Sequence, residues 1–172
     1  MKKLSALLFF LSISLYAQEG RLIPNPLRNI PKWVRNDFYA QDLDQRYAIT
    51  YQLFPYTLHG DFNDDGRSDV AIQIAEMKSG KTGFVIFHRR KPQALVTQIV
   101  IVGAGKSLGK VGDDFEWVDI WDARRPGDIL KDTKDKSLPS FDGDAIYVEK
   151  RDSTHGMIYW DGYKYGWYQL RK

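Results

Sequence analysis

The sequence predicts a β-dominated α+β fold, mainly an antiparallel sheet of about 7–8 strands with a short N-terminal helix. Three observations lead there. Apolar side chains recur at alternate positions in short runs, such as Ile49, Tyr51 and Leu53, or Val70, Ile72 and Ile74. A period of two is the mark of a strand with one face buried. Gly-, Pro- and Asp-rich segments separate these runs, as turns between strands require. Helical spacing starts only at Pro31, whose fixed φ suits a first helical position and sets Trp33, Val34 and Phe38 on one inner face. No segment repeats at a fixed period, which excludes a solenoid or a full propeller.

In chain order, residues 21–31 form a Pro- and Asn-rich lead-in to the helix, and residues 42–46 a polar turn. From Tyr47 onward the pattern is mostly β. Residues 84–88 and 95–102 are richest in apolar and β-branched side chains and read as the more central strands, joined by the basic turn Arg89-Arg90-Lys91-Pro92. Residues 103–112 are a Gly/Lys-rich connection. Residues 115–121 alternate again, with Phe115, Trp117 and Trp121 on one side. The charged, turn-rich stretch 122–142 precedes a closing meander over residues 145–149, 157–160 and 164–170. Asp161-Gly162 is a tight-hairpin signal between its last two strands.

Export is written at the N-terminus. Lys2 and Lys3 precede a mostly apolar run over residues 4–16, and Ala17 supplies the small residue before a polar stretch. That order is the signature of a signal peptide, and the run is short for a membrane span. Residues 18–172 then form a single β-rich domain with a core of its own and no membrane span after signal removal. The removed segment holds two lysines and no acid, so the formal charge falls from +3 to +1. A balance so near neutrality, in an exported chain, argues against a nucleic-acid partner. Cysteine is absent, so disulfides cannot tie down the loops. A bound cation can.

The segment Gly60-Asp61-Phe62-Asn63-Asp64-Asp65-Gly66-Arg67-Ser68-Asp69 has the skeleton D-x-N-x-D-G-x-x-D. Oxygen donors at every second position let a tight loop close around a hard cation, and glycine at the sixth position permits the sharp turn. The expected ligands are the side chains of Asp61, Asn63, Asp65 and Asp69 with the Arg67 carbonyl, and a water completes the shell. A set with only hard oxygen atoms selects Ca2+ over zinc or copper. An EF-hand needs a bidentate glutamate at the twelfth position. Ile72 stands there, and the flanks have the pattern of strands.

This stretch resembles the FG-GAP/VCBS type of calcium loop, known from integrin α-subunit propellers, where GDFNGDG-x-x-D precedes a strand in each blade. The resemblance spans about residues 59–75 and implies Asp61, Asn63, Asp65, the Arg67 carbonyl and Asp69 as ligands. Asp64 replaces the family's small residue. Family members carry several copies and this chain has one, so the propeller itself is not implied. A single such loop with a Tyr-Trp-Asp-Gly stretch, here from Tyr159, is similar to what a few small exported bacterial proteins carry.

Other constellations are weaker. Gly103-Ala104-Gly105-Lys106-Ser107 lacks the first glycine of a phosphate loop, since Val100 occupies its place. His59, His88 and His155 lack metal-ligand spacing. Ser107 and Ser153 sit in no nucleophile elbow, and Asp113, Asp114, Glu116 and Asp119 read as a solvated turn and sheet face rather than a glycosidase pair. Tyr159, Trp160, Tyr163, Tyr165, Trp167 and Tyr168 crowd the C-terminus. They suit cross-strand packing first and sugar stacking second. The expectation is a non-enzymatic calcium-binding domain, periplasmic or extracellular, acting on a protein or glycan partner. A carbohydrate- or peptidoglycan-binding module and a small hydrolase with structural calcium are the alternatives.

Overall fold

A computed structural model describes residues 29–132 and 137–170. The expected signal peptide, residues 1–17, lies outside the described residues. The chain is β-dominated, with two antiparallel sheets, nine strands and few helices among those residues.

Helix α1 (Lys32–Ala40) starts directly after Pro31 and buries Val34 and Phe38, while Trp33 stays half-buried with its ring edge against Phe87. It covers one face of the first sheet. That sheet runs β1 (Tyr47–Ile49), β3 (Asp69–Glu76), β4 (Thr82–His88), β5 (Gln98–Gly103), and β2 (Thr57–Gly60) also pairs with β3. The second sheet is a meander of β6 (Ile120–Arg124), β7 (Ala145–Glu149), β8 (His155–Trp160) and β9 (Tyr165–Gln169).

Strand alternation distributes the core over three layers of contact. Val70, Ile72, Val85 and Phe87 face Val34 and Phe38 of α1. Ala71, Phe84 and Ile86 point the other way and meet Trp121, Ile146, Val148 and Ile158 of the second sheet. The far side of that sheet, through Tyr147 and Met157, packs on Ile129 of helix α2 (Pro126–Asp132) and on Phe141. β3 and β4 are thus buried on both faces, as their continuous apolar runs require.

Three sequence expectations need correction. The alternation Ile49, Tyr51, Leu53 is not one strand: β1 ends at Ile49, and beyond it the Gln73 side chain takes over the pairing. Its amide donates to the Leu53 carbonyl and accepts the Leu53 N–H, both at 2.9 Å. Leu95 and Val96 are exposed loop residues, 90% and 67% accessible, and β5 lies at the edge of its sheet rather than centrally. The Arg90 guanidinium donates to the Leu95 carbonyl at 3.2 Å, so a side chain satisfies a group that a strand would pair. Residues 115–119 form a turn, with the Val118 N–H on the Phe115 carbonyl. Phe115 and Val118 are buried from that turn without belonging to β6.

Candidate metal centre

The Asp/Asn/Gly loop is the connection of the β2–β3 hairpin. Gly60 pairs with Asp69 across the ladder, and residues 61–68 project beyond it. Gly66 has φ +78° and Asp64 φ +57°, two left-handed residues that curl the loop over its own base. Phe62 points inward and is wholly buried between the two sheets. This leaves the residues at odd positions of the motif, Asp61, Asn63, Asp65, Arg67 and Asp69, half-buried or buried.

Main-chain N–H groups organise the carboxylates. Asp61 accepts from the N–H of Asp65 at 2.9 Å on one oxygen and from that of Gly66 at 2.7 Å on the other. Asp65 accepts from the N–H of Arg67 at 3.1 Å. Asp69, with no exposed surface, accepts from the N–H of Phe62 at 3.1 Å and from that of Arg89 at 2.7 Å. Each ionised carboxylate has about four lone-pair sites, so these bonds aim the groups without exhausting them. Among the described residues no three His, Cys, Asp or Glu side chains stand together as a preformed cage. An Asn oxygen and a main-chain carbonyl would have to share the coordination.

Two observations bear on whether a cation fits. The Oδ1 atom of Asn63 is buried and has no hydrogen-bond partner, a costly state for an amide oxygen. Asp69 is pushed up to about 7, first by burial and then by the charges of Asp65 and Asp61, against the opposing pull of the Arg89 and Phe62 N–H groups. A positive charge inside the loop would relieve both at once. The oxygen-only donor set suits calcium.

A distant segment, with no local signal in the sequence, buttresses the loop. Asp144 accepts the Asp61 N–H at 3.0 Å and returns its own N–H to the Asp61 carbonyl at 2.7 Å. Gly143 packs so closely that a Cβ there would lie 2.7 Å from that carbonyl, and one on Gly60 would lie 2.9 Å from the Asp144 carboxylate. Behind the loop, His88 and Tyr165 share a buried 2.7 Å hydrogen bond. Burial lowers the His88 pKa, opposed by Gln98 and by the charges of Asp65 and Asp61. Burial, Asp69 and Asp61 raise that of Tyr165, keeping it a phenol.

The other candidates are spent elsewhere. Asp113 pairs with Lys81 at 2.6 Å, Asp114 accepts the N–H groups of Thr82 and Glu116, and Asp119 accepts that of Arg151. Gly103 and Lys106 close a tight turn upon themselves. Of the C-terminal aromatics, Tyr165 is buried, and Trp167 packs against the inter-sheet core with its ring edge on Trp117. Tyr163 is exposed in the turn after Asp161, whose carboxylate accepts the N–H groups of Tyr163 and Lys164.

Among the described residues no helix is long and apolar enough to cross a membrane. The chain matches no family model, and no similar curated protein or solved structure is found.

Proposed function

We propose that this chain is an exported, non-enzymatic calcium-binding domain that acts by presenting a surface to a partner in the cell envelope or outside the cell. The observation that carries the reading is the buried, unpartnered Asn63 oxygen in a loop already rich in carboxylates. Asp61, Asn63, Asp65, Asp69 and the Arg67 carbonyl would hold the ion, in the manner of the FG-GAP/VCBS loop that residues 59–75 resemble. Calcium supplies positive charge that neutralises the buried Asp69 and rigidifies the hairpin. Hydrogen bonds from Asp69 and Asp144 then carry that rigidity to the β4–β5 connection and to the second sheet.

The magnitude suits a structural staple. A site with a Kd of about 0.1 mM in about 1 mM calcium adds roughly 1.4 kcal/mol of stability. Titration calorimetry of the mature domain with calcium tests the reading directly. Saturable heat at one site, together with a melting temperature that falls on adding chelator, is expected. No heat at millimolar calcium, with superimposable melting curves, would sink it.

A further inference from the structure

The loop also borders an open cleft of about 490 Å3, lined by Asn63, Asp64 and Asp65, by the basic residues Arg89, Arg90 and Lys91, and by Gln98 and Trp160. That volume lies within the range of small-ligand sites, about 300–1,000 Å3. We propose that this cleft binds a carboxylated sugar, such as a uronic acid unit of an acidic glycan. The assignment takes the calcium-loaded loop as part of the lining and to that extent rests on the preceding reading.

Three features select this ligand class. The first is charge. A divalent ion against the four loop carboxylates Asp61, Asp64, Asp65 and Asp69 leaves about two negative charges, which the three cations Arg89, Arg90 and Lys91 outweigh by one. Arg90 and Lys91 are exposed, while the Arg89 guanidinium lies over the Trp33 ring at 5.5 Å. Arginine suits planar carboxylates in particular. The second is the floor. Trp160 is half-buried, held edge-on by His88 and Tyr165 at centroid distances of 5.4 and 5.1 Å, and its remaining surface lines the cleft. A ring fixed in this way offers a preorganised stacking surface at little entropic cost. The third is the polar complement. The Gln98 and Asn63 side chains line the same space, as does the buried His88. Amide groups beside an aromatic ring suit hydroxyls on a sugar, whereas an apolar ligand would strand them.

The loop and the basic segment are physically joined. The Arg89 N–H binds Asp69 at 2.7 Å, so ordering the loop fixes the first residue of the basic segment. Sugar affinity is therefore greater with calcium than without it.

The test is titration of the full mature chain with digalacturonate in millimolar calcium, against cellobiose as the neutral equivalent and acetate as the bare carboxylate. Digalacturonate alone should bind, with at least tenfold weaker affinity in chelator. Arg90→Glu and Lys91→Glu should each weaken it at least tenfold. Arg90→Glu also loses the bonds to the Ala94 and Leu95 carbonyls, so Lys91→Glu, at an exposed position, is the variant expected to melt like wild type. Lys150→Glu, in the β7–β8 turn, should leave it unchanged. Equal binding of cellobiose or acetate, or indifference to both cleft variants, overturns the proposal. Calcium binding without digalacturonate binding overturns the cleft and leaves the loop reading intact. Arg90-dependent sugar binding without calcium binding does the reverse.

Discussion

The buried carboxylate of Asp69 accepts the backbone N–H of Arg89 at 2.7 Å, so the residue that closes the acidic hairpin also fixes where the basic β4–β5 connection begins. A perturbation of the loop should therefore be felt 20 residues along the chain.

Asp65→Ala should weaken calcium binding at least tenfold. It should also abolish the calcium-dependent rise in melting temperature, which for about 1.4 kcal/mol in a domain of this size is roughly 3–6 °C. Melting curves with calcium and with chelator check this. An undiminished calcium increment in the variant would count against Asp65 as a ligand.

Asn63→Ala separates a ligand from a structural residue. In chelator, removing the unpartnered Oδ1 should leave stability unchanged or raise it by up to about 1 kcal/mol. In calcium the same variant should be less stable than wild type. Urea unfolding under both conditions reads the change of sign.

Asp69 gives a pH dependence of definite sign. Its folded pKa is raised to about 7 from 3.8, so the metal-free native state holds this proton more tightly than the unfolded chain does. Between those two values the metal-free fold should lose stability as pH rises, by at most about 1.4 kcal/mol per pH unit from this group. Calcium binding requires the carboxylate, so calcium affinity should run the other way, about tenfold weaker at pH 6 than at pH 8. Calorimetry at the two pH values, in buffers of different ionisation heat, would also detect the released proton.

Gly143→Ala should loosen the loop from a distance, because its Cβ would press on the Asp61 carbonyl at 2.7 Å. Asp144→Ala removes the acceptor of the Asp61 N–H and should cost about 1–3 kcal/mol. Both should reduce calcium affinity although neither residue belongs to the motif. Unchanged affinity would show that the hairpin holds its shape alone.

Trp167→Ala should cost about 2–4 kcal/mol. The indole lies across Gly156, where a Cβ would sit 2.4 Å from Cη2, and meets Trp117 edge-on. Chemical denaturation measures this. A loss of glycan binding at unchanged stability would instead make Trp167 a recognition residue.

Features with a strong local cause were legible in the sequence. Pro31 marks the start of α1, the run 145–149 coincides with β7, and Asp161-Gly162 turns the last hairpin. What depends on distant partners was not. Phe115 and Val118 mimic a strand because they fill the inter-sheet core from a turn. Asp144 and Gly143 carry no sign of their role, since their partner Asp61 is 83 residues away from Asp144. Leu95 and Val96 look central by composition, yet the Arg90 side chain satisfies the Leu95 carbonyl and leaves both in solvent.

The Gln73 amide, matched to Leu53 in both directions, has an effect on tolerance to change. It is a side-chain rung in a main-chain ladder, holding the register of β3 between its two short partners. The chain from Phe54 to Tyr56 then meets the second sheet, where the Pro55 carbonyl accepts the Trp121 indole N–H at 2.7 Å, while Phe54 projects 82% exposed. The segment therefore ties the two sheets together, and an insertion between Phe54 and Tyr56 would strand the Trp121 indole N–H, whose acceptor is the Pro55 carbonyl.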